Sequence, residues 1–202
     1  MNFLAHLYLS GDNNDIIIGN FIADHVKGSK TEKYNSGIRS GIILHRSIDY
    51  YTDNHQIVKE AVERIRPQFR KYAGVVVDMY FDHFLSKGWN RWSKEPLSDF
   101  TSRMYGIITS AGEILPPRTR QMIPYMIDYN WLENYGNFEG LDRALKGMAR
   151  RTPFLSNMES AVEILKNDYA YYEQSFDNFF PDLIGHAKEV FDMVAIDKSP
   201  EL

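Results

Sequence analysis

Residues 41–54 read Gly-Ile-Ile-Leu-His-Arg-Ser-Ile-Asp-Tyr-Tyr-Thr-Asp-Asn, and the rest of the chain is organised around this stretch. His45, Asp49 and Asp53 recur every four residues, so on a helix they share one face, with about 5–6 Å between neighbouring Cβ atoms. Isoleucine and leucine occupy the adjoining positions, which indicates that this polar face borders the core. Buried carboxylates and a histidine need compensating charge, and the usual sources are a metal ion or paired cations.

The composition is that of a globular protein. At 202 residues the chain suits a single domain over residues 1–202, and its 44% hydrophobic content can form a sizeable core. The absence of cysteine excludes disulfides and thiolate metal sites, and it fits a reducing cytosol. No apolar run is long enough to span a bilayer, the N-terminal run is too short for a signal peptide, and a net charge of −4 argues against general nucleic-acid binding. We therefore expect a cytoplasmic protein that has neither a membrane nor a nucleic acid as its partner.

Helical periodicity runs along most of the sequence, and no strand pattern or glycine-rich phosphate loop is present. Helices are predicted at residues 2–9, 14–26, 35–53, 55–66, 68–88, 97–112, 117–129, 139–150 and 157–195. Pro67 is expected to break or restart one helix, and the last helix is expected to be interrupted near Pro181. The fold class predicted from these patterns is an all-α, single-domain helical bundle.

Eight ionisable side chains fall within apolar segments of four predicted helices. They are His6, Asp24, His45, Asp49, Asp53, Asp78, Asp82 and His83. Each has a structural explanation when taken alone, such as a hydrogen-bonded core histidine for His6 or a helix cap for Asp24. Together they favour a metal site, because burying so many acids without a cation is costly.

The donor types indicate which metal and which chemistry to expect. A His/Asp set without sulfur suits Mn²⁺, Mg²⁺ or Fe, with Zn²⁺ as a further option. The adjacent Asp82 and His83 can flank one ion, since neighbours on a helix point about 100° apart. Hydrolysis of a phosphate ester by metal-activated water is typical of such a site.

Four motifs, in the same order, resemble the acyl carrier protein phosphodiesterases. They are Met-Asn-Phe-Leu-Ala-His-Leu at residues 1–7, Gly-Asn-Phe-Ile-Ala-Asp at 19–24, the stretch 41–54, and Asp-x-x-x-Asp-His-Phe-Leu at 78–85. Further matches lie at residues 130–132 and 147–151, so the resemblance covers nearly the whole chain.

This resemblance implies an all-α fold similar to the HD-type metal phosphohydrolases. It also implies a Mn²⁺-dependent hydrolysis of the phosphodiester between 4′-phosphopantetheine and a serine of holo-acyl carrier protein. The residues that it implies for the metal-centred site are His6, Asp24, His45, Asp49, Asp82 and His83. The His-Asp dyad of the HD proteins does not occur in that order here, so the division between metal ligands and supporting residues stays open.

Catalytic roles are predicted for three residues around that site. Asp24 or Asp78 is expected to accept a proton or orient the attacking water, and Asp53 is expected to support the site from the end of the central helix. Arg46 is predicted to bind the phosphate bidentately, through two of its guanidinium nitrogens. A salt bridge between Arg46 and Asp49, three residues apart on the helix, is the alternative for that arginine.

The expected partner, holo-acyl carrier protein, is strongly acidic, so its binding requires a concentrated basic patch. The preferred patch precedes the central helix and comprises Lys27, Lys30, Lys33 and Arg39. Its place between Asp24 and His45 in sequence is expected to keep it close to the site, although a solvated lysine-rich loop is an equally open interpretation. A second basic group comprises Arg143, Lys146, Arg150 and Arg151.

Two other functions are compatible with the same residues. One is an HD-type phosphohydrolase that acts on a small nucleotide such as a guanosine phosphate, which requires a deep pocket with aromatic groups for stacking. The other is a non-catalytic helical scaffold in which the buried acids pair with Arg39, Arg46 and Arg70. Bound metal after purification in chelator-free buffer separates the scaffold from both enzymes.

Overall fold

Helices provide all the regular secondary structure in residues 1–196, the part of the chain that the computed structural model describes. The α-helices are α1 Phe3–Tyr8, α2 Asn14–Ile22, α3 Ser36–Asn54, α4 Gln56–Phe69, α5 Ala73–Lys87, α6 Leu97–Ser110, α7 Pro117–Asp128, α8 Trp131–Asn134, α9 Phe138–Arg151, α10 Ala161–Asn167 and α11 Tyr169–Ile196. The prediction of an all-α, single-domain fold is confirmed, whereas the similarity to HD-type proteins stays a prediction. Among the described residues, no helix combines the length and the apolar character needed to span a bilayer.

Asparagine residues set where several helices begin. The side chain of Asn13 accepts hydrogen bonds from the first turn of α2, and Asn35 and Asn137 do the same for α3 and α9. Each of these oxygens satisfies a backbone N–H that has no partner within the helix, which typically stabilises a helix by about 1 kcal/mol. These caps explain why the predicted starts of α2 and α3 agree with the structure to within a residue.

The two proline predictions are wrong. Pro67 lies inside α4 and Pro181 lies inside α11, and neither ends its helix. Both prolines are exposed, so water can hydrate the carbonyl that loses its intrahelical partner. The break in the C-terminal segment falls instead at Asp168, between α10 and α11, and the short helix α8 has no counterpart among the predicted helices.

Two glycines allow α2 and α3 to pack at very close range. A Cβ atom at Gly19 would collide with the backbone of α3, and a Cβ atom at Gly41 would collide with the backbone of α2. Only glycine fits at these two positions without separating the helices. The close packing brings Asn20, which follows Gly19, beside His45, one helical turn after Gly41.

The remaining helices hold this pair in place through an aromatic core. Phe81 of α5 lies 5.8 Å from Phe176 and 5.5 Å from Phe179 of α11, measured between ring centroids. Tyr80 and Tyr172 meet edge to face at 5.0 Å on the same helices. Helix α11 also packs against α3, so the high aromatic content of the sequence serves to fix the central helix from a second side.

Candidate metal centre

Helices α1 and α3 bring together two histidines and a carboxylate, which we call the His/Asp cluster: His6, His45 and Asp49. One potential ligand atom from each lies within 4.8 Å of the others. The Asp49 carboxylate lies 3.0 Å from His6 Nε2 and 3.1 Å from His45 Nε2. The two imidazole rings stack with their centroids 4.0 Å apart. Both histidines are buried, whereas the Asp49 side chain is 40% exposed, so the cluster opens to solvent on the carboxylate side.

Asn20, a fully buried residue of α2, determines how both histidines are oriented. Its amide nitrogen donates to the backbone carbonyl of His6 at 3.0 Å and to the Ser10 hydroxyl at 2.8 Å. The amide oxygen therefore faces the two rings and accepts from Nδ1 of His6 at 2.9 Å and Nδ1 of His45 at 3.0 Å. Because an amide oxygen only accepts, both rings carry a proton on Nδ1 and point Nε2 into the cluster.

The cluster is built to hold positive charge. Two unprotonated Nε2 atoms facing a carboxylate would repel it, so a proton or a metal cation must lie between them. Burial lowers the pKa of His45, but hydrogen bonds with Asp24 and Asp49 outweigh it and raise the pKa to about 9. Burial raises the pKa of Asp49, yet hydrogen bonds with His45 and His6 hold it far below its usual range. Burial lowers the pKa of His6, although the hydrogen bond with Asp49 opposes this shift.

Asp24 stands at the solvent side of the cluster. It lies in a 3₁₀ turn, Ala23–His25, that directly continues α2. Its carboxylate is 3.3 Å from His45 Nε2, and 68% of the side chain is exposed. The hydrogen bond with His45 lowers the pKa of Asp24, so this carboxylate is ionised near neutral pH. Its position allows either a fourth contact with a cation or a hydrogen bond to a water molecule.

Arg46 is exposed and close to the same turn. Its guanidinium donates to the carbonyl of Val26 at 3.2 Å, two residues after Asp24. The alternative salt bridge with Asp49 is not formed, because that carboxylate contacts the two histidines instead. The phosphate-binding role of Arg46 stays a prediction.

Asp82 is not a member of the cluster, and its role as a metal ligand stays a prediction. Its buried carboxylate accepts from the backbone N–H groups of Asn2 at 3.2 Å, Leu4 at 2.8 Å and Ala5 at 3.4 Å. Burial raises the pKa of Asp82 to about 7, although these donors oppose the shift. The residue thus ties α5 to the first turn of α1, where the helix dipole favours negative charge.

His83 is also placed away from the cluster. Its Nδ1 donates to the carbonyl of Tyr135 at 2.8 Å, and its Nε2 accepts from the Tyr169 hydroxyl at 2.9 Å. Burial lowers the pKa of His83 to about 4, so the ring is neutral and both nitrogens have partners. Asp82 and His83 therefore do not converge on one ion, since the 100° between them directs each to a different group of helices.

Asp78 and Asp53 lie beside the cluster rather than in it. The Asp78 carboxylate is 2.9 Å from the α-amino group of Met1. Partial burial and the negative charge of Asp78 raise the pKa of Asp53. Both acids line a separate hollow of about 550 Å³ next to α4. The catalytic role of Asp78 and the supporting role of Asp53 stay predictions, and the contact with Met1 argues against a free carboxylate at residue 78.

The charge pairs on which the scaffold alternative depends are not formed. Within residues 1–196, none of Arg39, Arg46 and Arg70 makes an ion pair with a carboxylate. Histidine, backbone N–H groups and the α-amino group compensate the acids instead. The cluster therefore has no arginine that would replace a metal ion.

The lysine-rich segment predicted to dock a partner is a 3₁₀ turn, Gly28–Lys33, that follows the Asp24 turn. Lys27, directly before this turn, and Lys30 and Lys33 within it are exposed. Arg39 donates to the carbonyl of Tyr34 at 3.0 Å, which holds it against the start of α3. The segment is accessible, and its role in docking stays a prediction.

Sequence reasoning did not single out Asn20, although it lies within one of the four motifs. The available signal was an asparagine flanked by Gly19 and Phe21 in an apolar helix, where its amide must find partners. Which partners it finds depends on the packing of α2 against α3 and α1, which no local pattern specifies.

Comparisons with known proteins identify relatives over nearly the whole chain. A family model described as acyl carrier protein phosphodiesterase matches residues 1–183. A protein of that name from Enterobacter sp. (strain 638) is 37% identical over 189 residues, which cover 93% of this chain and 98% of the relative. Another from Klebsiella pneumoniae (strain 342) is 37% identical over 185 residues, covering 91% and 96%, and one from Salmonella agona (strain SL483) is 34% identical over 188 residues, covering 93% and 97%. No solved structure matches the chain.

Proposed function

The chain belongs to the acyl carrier protein phosphodiesterase family, and on that premise we propose that it hydrolyses the phosphodiester between 4′-phosphopantetheine and a serine of holo-acyl carrier protein. The products are apo-acyl carrier protein and free 4′-phosphopantetheine. The observation that carries this proposal is the His/Asp cluster, which lies within the residues matched by the family model and presents two oriented Nε2 atoms to a carboxylate. Such a cluster suits metal-assisted hydrolysis.

The donor set fits a divalent metal ion. His6, His45 and Asp49 would hold the ion, and Asp24 is close enough to add a further oxygen. Two imidazoles and carboxylates without sulfur favour Mn²⁺, with Mg²⁺, Fe or Zn²⁺ as alternatives. When bound, the ion would act as a Lewis acid, which polarises the phosphoryl group and lowers the pKa of a water molecule.

The protein's own groups account for the remaining parts of the reaction. The oxygen of a water molecule attacks phosphorus, the bond from phosphorus to the serine oxygen breaks, and a proton from the water ends on that oxygen. Asp24, which is ionised and exposed, accepts the proton from the attacking water. Arg46 lies on the adjoining face of α3, where its guanidinium donates to the carbonyl of Val26 and would be available to contact the phosphate oxygens. Asn20 keeps both histidines in the required tautomer.

Mass spectrometry of the carrier protein tests this proposal. Wild-type protein that has been stripped with a chelator is incubated with holo-acyl carrier protein, with and without Mn²⁺. We expect loss of the phosphopantetheine mass only when metal is present. His45→Ala and Asp49→Ala are expected to abolish turnover while remaining folded, because each removes a donor from the cluster. Asp99→Ala, which removes an exposed carboxylate on α6, is the matched control and is expected to leave the rate unchanged.

Two results would contradict the proposal at different levels. No hydrolysis by the wild-type protein with Mn²⁺, Mg²⁺, Fe²⁺ or Zn²⁺ would reject the activity. Near-normal turnover by His45→Ala or Asp49→Ala at saturating metal would keep the activity and reject the cluster as its centre.

A further inference from the structure

A basic cleft of about 880 Å³ lies between α7, α8 and α9. Four arginines line it: Arg118, Arg143, Arg150 and Arg151. No aspartate or glutamate is among its lining residues, although the whole chain carries a net charge of −4. The concentration of positive charge in an acid-free cleft points to an anionic ligand.

Most of these arginines have no carboxylate partner. Arg143 pairs with Glu139 at 3.0 Å, but Arg118, Arg150 and Arg151 form no ion pair within residues 1–196. Arg151 instead lies over the ring of Trp131, with 5.9 Å between guanidinium carbon and ring centroid. The cleft therefore keeps at least three positive charges available for a ligand.

The positive charge is spread along α9 rather than focused at one point. Arg143 and Arg150 are seven residues apart, which places them on one face about 10 Å apart along the helix axis. Ala144 and Gly147 lie between them, and their small size leaves the floor of the cleft open, since a Cβ at Gly147 would meet nothing within 4 Å. Carboxylates seven residues apart on a facing helix have the same spacing of about 10 Å, which is too wide for the oxygens of one phosphate group.

Exposed apolar groups form the opposite wall. Tyr125 of α7 and Tyr129, directly after α7, are 60% and 50% exposed, and Met122 is also in the lining. Large aromatic side chains next to arginines are typical of protein interfaces, where they anchor a partner. An apolar wall with a charged rim is also how grooves accept an amphipathic helix.

The cleft and the His/Asp cluster share one short turn. His25 lines the cleft, and its Nδ1 is 2.8 Å from the Thr119 hydroxyl of α7. The preceding residue, Asp24, contacts His45 of the cluster. A protein bound in the cleft would thus lie next to the turn that contacts the cluster, so a prosthetic group carried by that protein could reach the cluster.

We propose that this cleft is the docking site for an acidic helix of holo-acyl carrier protein, with Arg118, Arg150 and Arg151 as the recognition residues. The proposal rests on the proposed function, since it takes the partner from it and adds the surface that binds it. It differs from the sequence prediction, which places docking at Lys27, Lys30, Lys33 and Arg39. That segment includes Glu32 and lines neither hollow described above.

Paired charge-reversal variants separate the two surfaces. The arginine variant carries Arg150→Glu together with Arg151→Glu, and the lysine variant carries Lys30→Glu together with Lys33→Glu. Both double variants change the net charge by the same amount, so a difference between them reports the position of the charges. For the arginine variant we expect KM for holo-acyl carrier protein to rise about tenfold or more, with kcat nearly unchanged and a weaker dependence of kcat/KM on salt. For the lysine variant we expect a change in KM of less than about threefold. Hydrolysis of bis(p-nitrophenyl) phosphate should be unaffected in both.

Binding of apo-acyl carrier protein, measured by calorimetry without metal, makes the docking test independent of catalysis. We expect the arginine variant to lose this binding and the lysine variant to retain it, whether or not the wild-type protein hydrolyses the holo form. Arg118→Glu, on the opposite wall, should weaken binding in the same way and guards against a local disturbance of α9. Equal effects of the arginine and lysine variants would overturn the proposal. A second outcome would also overturn it: the wild-type protein binds a guanosine phosphate, and the arginine variant loses this binding but keeps a normal KM for carrier protein. The cleft would then be a nucleotide pocket.

Discussion

At the scale of single residues, the candidate site depends on the hydrogen bonds of one amide. Asn20 uses both donors on backbone and hydroxyl oxygens, so its single oxygen must accept from two histidines at once. That arrangement fixes the same tautomer in His6 and His45 and leaves two Nε2 atoms facing Asp49. The preference of the cluster for positive charge follows from this geometry, because a proton or a cation must occupy the space between them.

The affinity of the cluster for Mn²⁺ should rise with pH. Burial disfavours a protonated His45, but Asp24 and Asp49 more than compensate and raise its pKa to about 9, so a metal ion must displace that proton. We expect the affinity to increase by nearly tenfold per pH unit between about pH 6.5 and 9 and then to level off. Calorimetric titrations across this range measure it.

The metal-free protein should show the opposite trend in stability. Because the folded pKa of His45 lies above its unfolded value near 6.5, the stabilisation by its proton is complete below that pH and is lost as the pH rises through about 9. Asp49→Asn, which removes one partner of the proton, should flatten both trends. Metal affinity that is constant from pH 6.5 to 9 would contradict the assignment of His45 as a ligand.

At the scale of helices, two contacts hold α1, α2 and α3 in register. Gly19 and Gly41 let the backbones of α2 and α3 touch, which places Asn20 against His45. Asp82 binds the first turn of α1 and so positions the helix that carries His6. The glycine pair has no direct part in chemistry, yet the distance between the two histidines depends on it.

Gly41→Ala should destabilise the protein and weaken the cluster. A methyl group there collides with the backbone of α2, so we expect a loss of about 1–3 kcal/mol in the free energy of unfolding and a lower affinity for Mn²⁺. Gly106→Ala on α6 is the matched control, since its Cβ would meet nothing within 4 Å. The control should gain up to about 1 kcal/mol from better helix propensity. Urea denaturation measures both, and a Gly41→Ala protein as stable as the control would reject the close packing of α2 and α3.

At the scale of the whole molecule, the functional groups are divided between two regions. The His/Asp cluster belongs to the N-terminal helices α1 to α3, whereas the basic cleft is formed by α7, α8 and α9. The turn Ala23–His25 joins the two regions, with Asp24 on one side and His25 on the other. The net charge of −4 would repel an acidic partner, so we expect the separate basic cleft to provide the attraction that the overall charge does not.

Metal binding at the cluster should stabilise the entire fold. An ion bound only by the folded protein at a concentration one hundred times its Kd adds about 2.7 kcal/mol, which corresponds to a rise in Tm of roughly 5–10 °C for a chain of this size. We expect Asp49→Ala to lose the Mn²⁺-dependent rise, because its carboxylate is part of the cluster. Asp82→Asn should lower the Tm of the metal-free protein and keep the rise. A rise that persists in Asp49→Ala, or disappears in Asp82→Asn, would contradict the placement of these two acids.

The sequence alone determined the secondary structure and the central motif. Helical periodicity and asparagine caps are local properties, so the all-α class and most helix positions could be predicted, including the spacing that puts His45 and Asp49 on one face. The errors at Pro67 and Pro181 arose because solvent exposure, which depends on tertiary packing, decides whether a helix tolerates proline.

Tertiary structure decided which ionisable residues meet. Asp82 and His83 are adjacent in sequence, but one meets α1 and the other meets the segments around Tyr135 and Tyr169. Sequence spacing gives the angle between two side chains on a helix and not the helices that pack against each side. The same reason explains why the roles of Asn20 and the basic cleft could not be predicted from sequence. These roles arise only when helices that are distant in sequence bring donors, acceptors and charges within a few ångströms of one another.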